Sequence, residues 1–252
     1  MSERQLPPPL TPADQLQAVL QEQGYAVLSS ASVCALAGVE LADLQALVSS
    51  WDDLPPDEYL KDGGRYRRRR HASLEVSGQG VDLVPHRAHW QPLSYNALHG
   101  GMQRWFAPMA AEVLARPAWQ ALLRWLGQVA SGVQGPQTWF TEAHQFRIDT
   151  TDGIGRPTPE GAHRDGVDLV AVFMVGREGI KGGETRVFAA DGPAGMRFTL
   201  TQPWSLLLLD DERVIHESTP IQPVATEGAG AAGAHRDTLV VTLRRGSFQD
   251  PV

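Results

Sequence analysis

The spacing of apolar residues changes at the turn-rich link 133–136. Before it, apolar positions recur three and four apart, the period of a helix with one buried face. Thr11-Pro12-Ala13-Asp14 is a helix start, with Thr as N-cap and Pro in the first turn. The pattern predicts a helix to about Gln23, ended by Gly24, then a short strand over Tyr25–Ser29. Helical patterns follow near 31–37 and 41–50. Residues 96–129 read as predominantly helical, interrupted around Pro108 and restarted at Pro117. Their tryptophans and leucines fall at helical spacing and belong to a core face. Residues 1–11, with Pro7-Pro8-Pro9, predict a disordered or extended lead.

Beyond the link the period is that of strands. Candidates are 138–149, 167–175, 184–189, 198–202, 205–209, 214–216 and 236–244, separated by Gly, Pro and Asp turns. Short strands spaced in this way predict an antiparallel sandwich or barrel. The expected organisation is a mainly β (α+β) single domain over 1–252, with mostly helical support over 12–130 and a β core over 138–245. Glu227–Gly233, rich in Gly and Ala, predicts a flexible loop.

One stretch resists assignment. Arg65-Tyr66-Arg67-Arg68-Arg69-Arg70-His71 is a charge run, and such runs are by default solvated. On a strand, Tyr66, Arg68 and Arg70 would share one face and Arg67, Arg69 and His71 the other. The letters do not choose between the faces. Arg68 and Arg70 are carried forward as candidate holders of an anionic substrate group.

Composition narrows the class. With 252 residues, 42% of them hydrophobic, the chain is long enough to bury a full core. A net charge of −7 argues against nucleic acid as a generic partner. The single Cys34 rules out an internal disulfide and fits a reducing compartment; its apolar neighbours predict a buried, inert thiol. The N-terminus carries no secretory pattern, and no run approaches the ~18 apolar residues of a membrane span. A soluble, cytoplasmic protein with no membrane partner is expected. Oligomeric state is not legible.

The candidate chemistry lies in His163-Arg164-Asp165, His216 and Arg236-Asp237-Thr238. On a strand or its end, positions i and i+2 point the same way, so His163 and Asp165 can reach one ion. His216 lies far enough downstream for the chain to return to them. Two histidines and a carboxylate make the facial triad of non-haem Fe(II) oxygenases, which leaves coordination positions open. Taken alone, His-x-Asp is a common chance pairing, and the surroundings decide. Arg236 and Thr238 share a face of a β-branched strand, where a guanidinium fork and a hydroxyl can clamp the far end of a dicarboxylic co-substrate.

The order His163-x-Asp165, His216, Arg236-x-Thr238 resembles the Fe(II)/2-oxoglutarate-dependent dioxygenases. Pro159 to Asp168, Gly182-Gly183-Glu184, Leu209-Asp210-Asp211, His216 to Pro220 and Arg236 to Thr242 are similar to the branch that includes bacterial free L-isoleucine 4-hydroxylase. The block Gln91 to Phe106, with Asn96, Gly100, Gly101 and Arg104, is similar to it as well. The resemblance implies a double-stranded β-helix (jelly-roll, cupin-like) core and iron on His163, Asp165 and His216. It also implies a 2-oxoglutarate C5 carboxylate on Arg236 and Thr238, O2 as co-substrate, and succinate and CO2 as co-products. It further implies that halogenating relatives carry a small residue where Asp165 stands, so hydroxylation is the expected outcome. A free L-amino acid is the expected substrate.

Gln145 and Arg147, of one parity shortly before the His-x-Asp loop, are expected to face the site. Gln145 is read as a co-substrate contact and Arg147 as a substrate contact, with Glu184 a further substrate candidate. A different class fits the same letters: a jelly-roll module that holds a metal without turnover. Iron-dependent formation of succinate from 2-oxoglutarate separates the two. A divalent-metal hydrolase would have no need of the Arg-x-Thr clamp.

Overall fold

The protein is described by a computed structural model covering residues 5–224 and 233–251. The predicted N-terminal elements form, although Thr11 is not the cap: its hydroxyl accepts from the Val27 N–H, and the helical turn begins after Pro12. A 3-10 turn over Ala13–Gln15 leads into α1 (Leu16–Gln23), which Gly24 closes in the left-handed conformation at φ 77°. Strand β1 (Tyr25–Leu28) follows, then α2 (Ser30–Ala37), whose N-cap Ser29 accepts a hydrogen bond from the Ser32 N–H. Next come α3 (Leu41–Gln45), a 3-10 turn over Val48–Trp51, and later α4 (Ala111–Leu114) and α5 (Pro117–Gln134).

Between these helices the chain departs from the expected pattern twice. The arginine run is not a solvated loop: Arg67–Val76 is strand β2, followed by β3 (Val81–Leu83). Residues 96–110 are not helical. They form turns and isolated bridges, with Gly101 at φ 72° and His89 bridged to Arg104. Buried side chains of Gln91, Asn96 and Arg104 hold this segment by hydrogen bonds to one another, and His99 and Trp105 tie it to Lys61 and Tyr59, contacts that periodicity cannot report.

The remaining strands are β4 (Trp139–Asp149), β5 (Leu169–Glu178), β6 (Ile180–Gly182), β7 (Thr185–Ala189), β8 (Gly195–Phe198), β9 (Leu206–Asp210), β10 (Val214–Ser218), β11 (Ile221–Pro223) and β12 (His235–Arg244). They build a seven-stranded sheet in the order β1-β9-β5-β12-β4-β2-β3, a three-stranded sheet β10-β7-β8 and a pair β11-β6. All the strand pairings are antiparallel. This is the expected double-stranded β-helix, with β2 and β3 widening the large sheet from the part of the chain read as helical.

The helices cover one face of the large sheet. Trp119, Leu122, Leu123, Leu126 and Ala130 of α5 repeat at helical spacing and pack with Leu74, Ala143, Phe173, Leu239 and Val241 of the strands. Burial of each large side chain contributes roughly 1.5–3 kcal/mol. Gly127 lets the helix approach closely, since a Cβ there would meet Val76 Cγ1 at 2.6 Å. Residues before α1 also dock: Leu6 accepts from the Thr199 N–H and Leu10 bridges Val27, so this stretch is extended rather than free. Residues 1–4 and most of the predicted loop at 227–233 lie outside the described residues. Among the described residues, no single helix is long and apolar enough to cross a membrane.

Candidate metal and co-substrate site

The face of the large sheet away from the helices opens into a cavity. Its wall is built by alternate residues of three neighbouring strands: Arg67 and Arg69 of β2, Glu142, His144 and Phe146 of β4, and Arg236, Thr238 and Val240 of β12. Cross-strand register brings them together, with Arg69 opposite Phe146 and Thr238 opposite Phe146 from the other side. His163, Asp165 and His216 stand at the same cavity.

His163 and His216 face each other across an isolated antiparallel bridge, with backbone N–H to carbonyl distances of 3.0 Å in both directions. Their rings lie 4.6 Å apart. Asp165 Oδ1 is 3.8 Å from His163 Nε2, and Oδ2 is 3.8 Å from His216 Nε2. These separations are too long for hydrogen bonds. They match an ion placed between ligands at ~2.1 Å each. One ligand atom from each of the three residues lies within 4.8 Å of the others. His163 Nδ1 donates to the Gly161 carbonyl at 3.0 Å, which leaves the Nε2 lone pair free for a metal. Burial and then His163 push the His216 imidazole down to about 4, so it is neutral and able to ligate. The donor set fits a divalent ion.

Two residues not assigned from sequence hold this cluster. The Asp211 carboxylate accepts from the backbone N–H groups of Asp165 at 3.0 Å, Gly166 at 2.7 Å and Val167 at 3.1 Å. It therefore fixes the loop that carries the ligating carboxylate. Burial and then Asp165 push its carboxyl up to about 7. Gln91 Nε2 donates to Asp165 Oδ1 at 3.1 Å, while Gln91 Oε1 accepts from Arg104 at 2.8 Å and Asn96 at 3.2 Å. Asp210-Asp211 reads locally as a turn, and Gln91 as part of a polar loop. Neither residue carries a local signal of its role.

Arg236 is 4% exposed and lines the cavity with Thr238. Among the described residues it has no carboxylate within 4.0 Å, and its Nε has no partner. Burial, then the charge of Arg177, lowers its pKa to about 10, still fully cationic at neutral pH. A buried fork without an acidic partner suits a carboxylate supplied by a ligand.

The other residues singled out from sequence sit elsewhere. Gln145 is buried on the helix side, donating to Ser50 Oγ at 2.7 Å. Arg147 shares that parity and is engaged by Asp237 at 2.7 Å and Asp52 at 3.1 Å. Arg68 faces Asp149 at 3.6 Å, and Arg70 bonds Asp53 and the Pro108 carbonyl. Glu184 accepts from Arg186 at 2.9 Å, outside this cavity. The structure brings none of these five to the triad. The opposite parity of β2 and β4 reaches the cavity instead. Arg147→Ala is accordingly expected to lower stability by roughly 1.5–3 kcal/mol, the value of a charged hydrogen bond, because it strips the buried Asp237 of its main partner. Substrate KM should stay within about twofold. A raised substrate KM with unchanged thermal stability would contradict this placement.

The inward faces of β2 and β4, with His89 from the segment bridged to Arg104, also build a cluster of His71, His89, Glu142 and His144, all buried. Glu142 Oε1 and Oε2 are each 3.0 Å from an imidazole nitrogen, of His71 and His89. Burial holds His89 down near 4 and His71 below its ordinary value, so both are neutral donors. Burial alone would raise the Glu142 carboxyl, but these two bonds outweigh it and keep it ionised. Arg69 Nη2 lies 2.7 Å from His144 Nδ1, so that imidazole nitrogen accepts. Its lone pair is thereby spent on the guanidinium rather than offered to a metal. The arrangement is a hydrogen-bonded polar wall rather than a second metal site.

A family model described as 2OG-Fe dioxygenase matches residues 48–242. No curated protein matches the sequence significantly. Among solved structures the chain is similar to a bsmA homolog from Methylobium petroleophilum PM1, 52% identical at a TM-score of 0.90, covering 96% of this chain and 97% of that one. It shares its fold with IDO from Bacillus thuringiensis, at TM-score 0.73, 16% identity and coverage of 95% and 97%. It does so also with the Fe(II)/α-ketoglutarate-dependent dioxygenase TqaL, at TM-score 0.69, 21% identity and coverage of 94% and 91%. With a match over most of its length and a His-Asp-His cluster spaced for one ion, the chain belongs to the 2OG-Fe dioxygenase family, the 2-oxoglutarate-dependent oxygenases that use Fe(II) and O2.

Proposed function

We propose that the protein hydroxylates a free L-amino acid, with Fe(II) held by His163, Asp165 and His216 and with 2-oxoglutarate anchored by Arg236 and Thr238. When bound, iron and 2-oxoglutarate supply the oxygen-activating chemistry and leave succinate and CO2. The chain's own groups bind, orient and exclude water. His163 and His216 offer imidazole Nε2 atoms, and Asp165 offers the charge. Asp211 and Gln91 keep that carboxylate in one place. Arg236 reads the far carboxylate of the co-substrate from a dry strand position, where a charge-assisted bond is strongest.

The observation that carries the substrate reading is the cationic wall facing the triad. Arg67, Arg69 and Arg104 are 5%, 4% and 2% exposed. Arg67 is paired with Asp57 at 2.7 Å, and Arg69 only reaches the same carboxylate at 3.7 Å. Guanidinium groups are buried in this number where a ligand brings anionic charge. The resemblance of the Gln91–Phe106 and His163–Asp168 blocks to an amino-acid hydroxylase branch supports the same substrate class.

Aerobic incubation with Fe(II), 2-oxoglutarate and each of the twenty amino acids tests the reading. Mass spectrometry should find one amino acid gaining a single oxygen, with matching succinate. Preference for amidated, peptidyl or uncharged substrates would reject the free-amino-acid assignment while leaving the iron and 2-oxoglutarate chemistry in place.

A further inference from the structure

Two opposite charges line the cavity without forming an ion pair with each other, although each lies within the other's field, as do Asp57 and Glu160 for Arg104. Arg104 is 2% exposed, and among the described residues no carboxylate lies within 4.0 Å of it. Its Nη2 donates to the neutral Gln91 amide at 2.8 Å, and its Nε has no partner. Glu142 is 7% exposed, and no lysine or arginine lies within 4.0 Å of it among the described residues. Its oxygens accept from His71 and His89 at 3.0 Å, which leaves each oxygen a second lone pair.

The two charges are neighbours. His89 and Arg104 oppose each other across an antiparallel bridge, and His89 is the residue that grips Glu142. Both charged side chains border the same cavity as the triad. A buried charge held only by neutral hydrogen-bond partners stays costly, so two of opposite sign kept apart at one cavity favour a ligand that pairs with both. The ligand must carry a cation and an anion within one small molecule. Nearby, the Arg69 guanidinium is fixed between the rings of Phe106 at 3.6 Å and Phe146 at 4.3 Å, adding a second rigid cation on the Arg104 side. Val172 and Val240 give the same cavity an apolar floor.

We propose that Glu142 and Arg104 are the two poles of a receptor for a zwitterion. Glu142 takes the ammonium of an α-amino acid; Arg104, with Arg69 beside it, takes the α-carboxylate, and an aliphatic side chain lies over Val172 and Val240. This rests on the free-amino-acid reading above and names the groups that make it selective. It also explains why the His71–His89–Glu142–His144 cluster is built from neutral imidazoles. They fix the carboxylate without cancelling its charge.

The test is anaerobic calorimetry on the Fe(II)- and 2-oxoglutarate-loaded protein. The probes are the twenty L-amino acids, then the tightest binder, its deamino acid and its decarboxylated amine. Wild type should prefer the amino acid over either analogue by roughly tenfold or more, as expected for charged hydrogen bonds. Glu142→Gln should lose that preference over the deamino acid, while the deamino acid itself binds within about threefold of wild type. Arg104→Gln should lose the preference over the amine and keep the preference over the deamino acid. Two variants at separate positions keep the test decisive if one fails to fold, and retained 2-oxoglutarate binding reports a folded cavity. Persistence of the ammonium preference in Glu142→Gln, with the amino acid still hydroxylated, would overturn the receptor and leave the substrate class intact. Binding of none of the twenty would overturn both. Two metal equivalents per wild-type chain, falling to one in Glu142→Gln, would reassign Glu142 to a metal and overturn the receptor.

Discussion

Asp165→Ala is expected to abolish succinate formation and to weaken Fe(II) binding by more than about 100-fold, while the chain stays folded. Loss of groups that merely orient a ligand typically costs 10–100-fold in metal affinity, and Asp165 supplies the only carboxylate of the triad. The fold should tolerate the change for three reasons. The Asp165 side chain is at the cavity rim, 18% exposed, rather than in the hydrophobic core. The loop is held through backbone N–H groups by Asp211, and these bonds survive the substitution. The side chain's own contribution is one bond from Gln91, about 1 kcal/mol, set against relief of its repulsion with Asp211. Iron titration and a thermal melt measure both halves of the expectation. Full turnover in Asp165→Ala would remove the triad assignment, and global unfolding would show that the carboxylate is structural.

Arg236→Lys keeps the positive charge and removes the fork. The KM for 2-oxoglutarate is expected to rise by roughly tenfold or more, given ~1.5–3 kcal/mol for a charged hydrogen bond. Lysine presents a single point of donation and cannot reproduce a planar bidentate contact. Iron affinity should change little, because Arg236 holds no triad residue. Its buried position on β12 also means that water cannot replace the lost donor cheaply. Steady-state kinetics with varied 2-oxoglutarate, alongside an iron titration, checks the split. An unchanged KM would move the carboxylate anchor to another cation of the cavity.

The parts of the site that were legible in the sequence are pairs two residues apart in one short stretch. Arg236 and Thr238 reach the cavity together because the period of β12 is two; His163 and Asp165 do so from an isolated bridge and the loop beside it, where the same i, i+2 spacing is kept by the backbone bonds to His216 and Asp211. The sandwich class was legible for the same reason: turn residues and apolar runs punctuate 138–245 at strand intervals.

Which face of a strand meets the cavity was decided by tertiary structure alone. β4 is buried on both sides, so its letters show no clean alternation. Its apolar Ala143 packs under the helices, and its polar Glu142 and His144 face the cavity. Gln145 and Arg147 have the wrong parity by one residue, and register delivers Arg147 to Asp237. In β2 the same single-residue choice brings Arg67 and Arg69 inward and leaves Arg68 and Arg70 to aspartates near the surface. A run of like letters carries no phase information. The segment around Gln91, Asn96 and Arg104 was misread for a different reason. Its order comes from side-chain hydrogen bonds among Gln91, Asn96 and Arg104 and from single bonds to Tyr59, Lys61 and Asp165 elsewhere in the chain. Local sequence encodes period and turns; the identity of the inner face and of long-range polar partners exists only once the sheets have closed around the cavity.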